Sequence, residues 1–274
     1  MHAFDLAPAL DRPRSRRRQP EILRAGGLSC RPNQPPRRPL DFPEGSFDPA
    51  TLGLTTWHRG SYGGPPWVGT PSAGISGTDP MTTIGSDPAV GAALNGYATA
   101  SFDGVANRLQ AARLNSVCFS GTGTIWFLFY GVGPPPLAPL GTYARGNIFT
   151  DPANAETTFG FVTVGATPSV HACIYAGAYV PHSVACTSDA GHLAFCRFDG
   201  TNLGIKIDSA AWNSVACGNW TPLVPSVQQY GAAYTGACYF PGLLEETATI
   251  DRALSDGECD NVRSYVNARY GLAL

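Results

Sequence analysis

Glycine and proline interrupt almost every stretch of this sequence, which holds 32 glycines and 24 prolines among 274 residues. Both residues disfavour long helices, so the chain is divided into short runs separated by turns. YATASFDG and TFGFVTVG alternate as half-buried strands do, and TIWFLFYGVG is apolar throughout, as a strand at the centre of a sandwich would be. The pattern predicts an all-β domain built from many short strands.

Local signals refine this prediction. HLAFCRFDGTNLGIKIDS predicts a hairpin around DGTN, and IYAGAYVPHSVA a second one. YFPGLLEETATI predicts a strand pair or one bent strand, and the prolines of GVGPPPLAPLG predict a loop. One helix is predicted in LSDGECDNVRSYVNARYGL, where Ser255 and Glu258 form a capping box and Gly271 ends the helix.

Residues 1–46 differ in composition from the rest of the chain. They contain eight prolines, nine arginines and five acidic residues, so this arm carries a charge of +4 and residues 47–274 carry −6. The start of the chain lacks the apolar core of a signal peptide, and we expect no export signal. No apolar run reaches the length of a membrane span, and we expect no membrane partner.

We predict that the arm is an extended docking segment that binds structural proteins of a symmetric assembly, a capsid or a tail. Apolar anchors and arginine forks, which suit carboxylates at interfaces, would make the contacts: Phe4, Leu6, Arg14, Arg16, Arg17, Arg18, Ile22, Leu23, Arg37, Arg38 and Phe42. Nucleic acid is the less favoured partner, because the arm has no lysine and no aromatic residues interleaved with its arginines.

The end of the chain resembles a known family. FPGLLEETATIDRALSDGECDNVRSYVNARYGL (240–272) is similar to the closing segment of concanavalin A-like, laminin-G-type jelly-roll domains, found in phage virion and bacterial surface proteins. LNGYATASFDGVANRLQ and HLAFCRFDGTNLGIKIDSAAW resemble two earlier elements of that family. The resemblance implies a jelly-roll sandwich over about residues 48–274 with a short C-terminal helix. Glu245 and Ile250 depart from the family's common aspartate and tyrosine.

The sequence offers little sign of catalysis. The paired carboxylates of the glucanases with this fold, E-x-D-x-x-E, do not occur. Glu245 and Glu246 are adjacent, so we expect them to point to opposite faces of a strand and not to form a catalytic pair. We therefore predict that the protein is not an enzyme and has no catalytic residues.

Metal and disulfide sites are left open by the sequence. Asp103 and Asp199 each precede a glycine and are interpreted first as turn residues and second as calcium ligands, so we expect no cofactor, with calcium as the alternative. The eight cysteines are interpreted as buried thiols or as one or two disulfides, with Cys173 and Cys186 the favoured pair.

The segment TTWHRGSYGGPPWVG gathers four candidate ligand-binding residues, Trp57, His58, Tyr62 and Trp67. The alternative is that these rings close one end of the sandwich. We predict a non-enzymatic decoration protein of a phage-type virion that displays a lectin-like domain and touches surface glycan. A secreted or surface carbohydrate-binding module, hence extracellular, is the main alternative, and a glycoside hydrolase the second.

Overall fold

Two antiparallel sheets pack face to face in a computed structural model that describes residues 46–60, 62–70, 79–114, 121–132, 143–150, 157–164, 167–176, 178–218, 227–232 and 239–274. Alternate residues of each strand point into the layer between the sheets, and this alternation is what the short runs of the sequence encode. The predicted all-β jelly-roll sandwich with a C-terminal helix is confirmed.

The first sheet has eight strands in the order β13-β12-β11-β6-β15-β4-β3, with β1 paired to the second half of β15. The bounds of its strands are β1 Thr56–Arg59, β3 Ala89–Val90, β4 Ala100–Asp103, β6 Gly123–Gly131, β11 Gly191–Phe198, β12 Asn202–Ile207, β13 Asn213–Ala216 and β15 Pro241–Ile250. The apolar strand β6 lies between β11 and β15, the central position that its sequence predicted.

The second sheet has seven strands in the order β10-β9-β8-β7-β14-β5-β2. Their bounds are β2 Met81–Thr83, β5 Leu109–Leu114, β7 Tyr143–Thr150, β8 Thr157–Val164, β9 Thr167–Tyr175, β10 Tyr179–Ala185 and β14 Val227–Tyr230. Strand β10 forms one edge of this sheet. There His182 Nε2 lies 2.9 Å from the carbonyl oxygen of Asn213, on the edge strand β13 of the first sheet.

The only helix longer than one 3₁₀ turn (Pro49–Leu52) among the described residues is α1, Asp256–Tyr270, which packs on the outer face of the first sheet. Ser255 and Glu258 form the predicted capping box, and Gly271 adopts a left-handed conformation with φ of 68° where the helix ends. The first sheet divides the apolar interior into two clusters, because alternate residues of β6 and β11 belong to one cluster or the other. One lies between the sheets, around Phe127 and Phe161, and the other lies under the helix, around Trp126 and Val262.

Both predicted hairpins are present, whereas the alternative disulfide between Cys173 and Cys186 is not formed. In the β9–β10 hairpin Cys173 pairs with Pro181, whereas the N–H of Cys186 donates to the carbonyl of Pro168, 3.0 Å away. The cysteines are therefore about 17 Å apart along the strands. No disulfide joins any two of the cysteines in the described residues, which are Cys173, Cys186, Cys196, Cys217 and Cys259.

Two further findings concern the described part of the chain only. None of its helices has the length and apolarity needed to cross a membrane. This part of the chain also contains no group of three or more histidine, cysteine or acidic side chains that could hold a metal ion. The predicted docking arm (1–46, with Ser46 alone described) and most of the proline-rich loop 131–141 lie outside the described residues.

Candidate functional site

A cleft of about 520 Å³ opens where the edge strand β10 of the second sheet approaches the ends of β11 and β12 in the first. Apolar side chains line part of it: Val184, Ala185, Ile207 and Ala210. Polar or titratable side chains line the rest: Cys186, Thr187, His192, Asp208 and Ser209. This volume lies within the range of small-molecule sites, about 300–1,000 Å³.

His192 joins the two walls of the cleft. Its Nδ1 donates to Asp208 Oδ2 at 2.8 Å, and its Nε2 lies 3.0 Å from the hydroxyl and 3.1 Å from the carbonyl oxygen of Thr187. Burial favours a lower pKa for His192, but the hydrogen bond and charge of Asp208 and the carbonyl of Thr187 outweigh it, and the pKa is raised above 6.5. A protonated ring can donate from both nitrogens and so hold both walls.

Asp208 is held in place by two hydrogen bonds to the backbone of Leu193. It has a φ of 52°, a left-handed conformation that aspartate adopts more readily than most residues. Its Oδ1 accepts from the N–H of Leu193 at 2.9 Å, while its own N–H donates to the carbonyl of Leu193 at 2.9 Å. The side chain keeps 24% of its surface exposed to the cleft and solvent. A fixed, partly exposed carboxylate is suited to accept hydrogen bonds from a ligand.

Cys186 is not an activated nucleophile. Burial raises the pKa of its thiol to about 12. The hydrogen bond with the Val170 backbone opposes this, and the smaller effect of the negative charge of Asp208 adds to it. A thiol with such a pKa remains protonated at neutral pH, whereas cysteine catalysis needs the thiolate. Cys186 therefore contributes packing to the cleft.

The four aromatic-segment candidates are not in this cleft. Trp57, His58, Tyr62 and Trp67 are each at most 3% exposed. Tyr62 and Trp67 belong to the cluster between the sheets, and Trp57 lies under the helix. Burial lowers the pKa of His58 to about 4, against the effect of its hydrogen bond to the Asp79 carbonyl. This burial matches the alternative interpretation, packing inside the sandwich, and ligand binding by these rings stays a prediction.

The prediction that the adjacent residues Glu245 and Glu246 point to opposite faces of a strand was wrong. The register of β15 against β6 shifts between Leu244 and Glu246, so Glu245 occupies a β-bulge. A bulge inserts one extra residue and interrupts the alternation of side chains. As a result Leu244 points between the sheets, whereas the carboxylates of Glu245 and Glu246 both lie near helix residue Arg269 or its neighbours.

Glu246 is a fully satisfied buried carboxylate. Its Oε1 accepts from the indole N–H of Trp57 at 2.8 Å, and its Oε2 accepts from the hydroxyls of Tyr265 at 3.2 Å and Tyr270 at 2.7 Å. Through these bonds it connects β1, β15 and α1. Because the residue is 0% exposed, its role is to hold the helix on the sheet.

Glu245 has no such partners. It is 1% exposed, and neither of its carboxylate oxygens has a hydrogen-bond partner among the described residues. Burial raises the pKa of Glu245 to about 9, the charge of Glu246 adds to this, and Arg269 opposes it. The side chain is therefore a neutral acid at pH 7. No substrate can reach either glutamate while the helix covers them.

The two aspartates considered for calcium shape turns. Asp103 Oδ1 accepts from the N–H groups of Val105 at 2.8 Å and Ala106 at 2.9 Å. Asp199 Oδ1 accepts from the N–H of Asn202 at 2.8 Å in the DGTN turn. These bonds are those of turn-forming aspartates.

Sequence reasoning did not find Thr187, Asp208 or Ser209. A signal for part of the site was present in the hairpin register: Phe198 pairs with Leu203 across the DGTN turn, and counting outward places His192 opposite Ser209, next to Asp208. Thr187 could not be found in this way, because it follows a strand of the other sheet.

Comparison with known proteins identifies the fold only. The sequence matches no protein-family model and no curated protein. Among solved structures, domain 4 of AbnA, an extracellular arabinanase from Geobacillus stearothermophilus in complex with arabinotriose, is 11% identical with a TM-score of 0.51. That match covers 69% of this chain and 88% of that domain.

Two larger structures are also similar. An α-L-arabinofuranosidase soaked with 4-nitrophenyl α-L-arabinofuranoside is 12% identical with a TM-score of 0.54, covering 74% of this chain and 50% of that one. The binding domain of botulinum neurotoxin serotype D/C is 6% identical with a TM-score of 0.56, covering 78% and 52%. The match thus spans about half the length of these two proteins. All three share a β-sandwich with this chain.

Proposed function

We propose that this chain is a non-catalytic carbohydrate-binding module, and that a sugar occupies the cleft between Thr187 and Asp208. The main support for this proposal is the composition of the cleft. The cleft combines aliphatic walls, which suit the C–H face of a sugar ring, with a fixed carboxylate and two hydroxyl-bearing side chains, which suit its hydroxyl groups.

The fold supports this proposal. Similar sandwiches occur in an arabinanase domain that was solved with arabinotriose and in the binding domain of a neurotoxin. Since a shared fold does not fix a function, the argument rests on the cleft, and the comparisons add only that sandwiches of this shape are used for recognition.

Binding without catalysis is the simpler account of the side chains present. Glycoside hydrolysis generally needs two carboxyl groups that flank the bond to be cleaved, and Asp208 is the one acidic residue among the described residues of the cleft. Glu245 and Glu246 are covered by α1. We therefore propose that the protein is not an enzyme and that sugar binding needs no cofactor.

The role in a virion stays a prediction. It depends on the arm of residues 1–46, which lies outside the described residues apart from Ser46, and the three similar structures described above give it no support. A secreted or surface-attached module and a particle-borne one would use the same cleft, so the proposal for the cleft holds for either location.

A glycan array tests the proposal directly. The full chain should bind at least one class of immobilised glycan, and Ala210→Trp should abolish this binding because the indole would fill the cleft. Ala178→Trp is the matched control, since Ala178 is also an exposed alanine but lies in the β9–β10 turn, outside the cleft. Equal loss in both variants, or no glycan bound by the wild type, would refute the proposal.

A further inference from the structure

Asp208 is the residue that decides which class of sugar this cleft can accept. Resting on the proposed function, we infer that the cleft recognises an uncharged sugar unit through hydroxyl groups that donate to Asp208, and that it discriminates against uronic and sialic acids. The inference follows from the hydrogen bonds that Asp208 already makes and from the charges around it.

Asp208 has acceptor capacity to spare. An ionised carboxylate offers about four lone-pair positions. In this structure Oδ1 accepts one hydrogen bond from Leu193 N–H and Oδ2 accepts one from His192 Nδ1. With 24% of the side chain exposed, the remaining positions are available to donors that enter the cleft. Neighbouring hydroxyl groups of a sugar are such donors.

The charge of the cleft disfavours an acidic ligand. Its described lining contains neither lysine nor arginine. The one basic side chain in that lining, His192, is only 8% exposed, and its nitrogens are directed to Asp208 and Thr187. A sugar carboxylate in the cleft would therefore meet the negative charge of Asp208 with no free cation to pair with, and like charges at short range oppose binding.

The other polar side chains fit a neutral partner equally well. The hydroxyls of Thr187 and Ser209 can donate or accept, and they lie on opposite walls of the cleft. Val184 and Ile207 offer the apolar surface between them. Asp208 thus has two effects. Its carboxylate orients the sugar by accepting hydrogen bonds from sugar hydroxyl groups, and its negative charge excludes sugar carboxylates.

Matched sugars test this inference. Once the array has shown which hexose is bound, the methyl glycoside of that hexose and that of the corresponding uronic acid are titrated into the full chain by calorimetry. These probes differ only in the oxidation state of C6. We expect the neutral glycoside to bind at least about tenfold more tightly. Asp208→Asn should weaken binding of the neutral glycoside about tenfold or more, because hydrogen bonds to a charged group are the stronger ones. The same substitution should reduce the difference in affinity between the neutral and the uronic glycoside.

Asp199→Asn is the matched control, since Asp199 caps the turn at the opposite end of the same hairpin. It should change neither affinity. If the uronic glycoside binds as well as the neutral one, or if Asp208→Asn binds like Asp199→Asn, the inference is overturned while the proposed function stands. If the wild type binds neither neutral nor acidic glycans, the proposed function fails and the inference falls with it.

Discussion

Replacing Glu245 by glutamine should make the folded protein more stable at neutral pH. Glu245 lies in a β-bulge beneath α1, 1% exposed, next to the hydrogen-bonded Glu246. Neither of its oxygens has a hydrogen-bond partner among the described residues. Glutamine has nearly the same shape and is neutral at every pH, so the substitution removes the need to protonate the side chain on folding.

The size of the effect follows from the pKa. Burial first, and the charge of Glu246 second, raise the pKa of Glu245 from 4.5 to about 9, with Arg269 opposing them. Between these values the folded state keeps a proton that the unfolded state has lost. The stability contributed by Glu245 is therefore fully present below pH 4.5 and decreases by about 1.4 kcal/mol per pH unit as the pH rises towards 9. At pH 7 the need to protonate Glu245 thus lowers the free energy of unfolding by about 3 kcal/mol, and the glutamine variant should recover most of this loss.

Urea unfolding followed by tryptophan fluorescence at pH 5, 7 and 8.5 measures this difference. The difference in the free energy of unfolding between Glu245→Gln and the wild type should be small at pH 5 and should increase with pH. Glu258→Gln is a control of opposite sign, because the hydrogen bonds of Arg252 lower the pKa of Glu258 to about 2. That substitution should destabilise the protein at pH 7.

Parallel stability curves for wild type and Glu245→Gln across this pH range would refute the reasoning. So would a loss of stability in the variant at pH 7. Either result would mean that Glu245 is ionised in the folded protein and is stabilised by Arg269 more than it is penalised by burial.

Three further predictions concern single side chains. Glu246→Gln should destabilise the protein by about 2 kcal/mol or more in urea unfolding, because it removes a buried carboxylate that accepts three hydrogen bonds. An effect close to zero would contradict the assigned role. Ser255→Ala should cost about 1 kcal/mol in the same assay through loss of the capping box, whereas Ser264→Ala, a mid-helix serine whose hydroxyl bonds back to the Asp260 carbonyl, should cost less. His192 should titrate by NMR with a pKa above 6.5, and Asp208→Asn should lower that pKa. The stability that His192 contributes is then present at low pH and lost as the pH rises through its folded pKa.

The elements that sequence reasoning predicted are those whose signal is local. The DGTN turn, the apolar run of β6 and the capping box of α1 each lie within a few consecutive residues, and each fixes its own structure by a short-range interaction. The hairpin of β9 and β10 was predicted for the same reason.

The errors and omissions arose where structure depends on distant pairing. The bulge at Glu245 cannot be read from Leu243-Leu244-Glu245-Glu246, because two apolar residues followed by two acidic ones contain no alternation to interrupt. The proposed cleft needs Thr187 from one sheet beside Asp208 from the other. That juxtaposition is set by how the sheets stack, which no local pattern specifies.

The position of β15 has a consequence for biosynthesis. This strand occupies the middle of the first sheet, hydrogen-bonded to β6 on one side and to β4 and β1 on the other, yet it follows every other described strand of that sheet in the sequence. A ribosome releases β1 some 190 residues before its partner Thr249. Until β15 emerges, β6 and β4 keep unpaired edges, which are sites for association between chains. The sheet can therefore close only after β15 has left the ribosome, and the nascent chain depends on its environment until then.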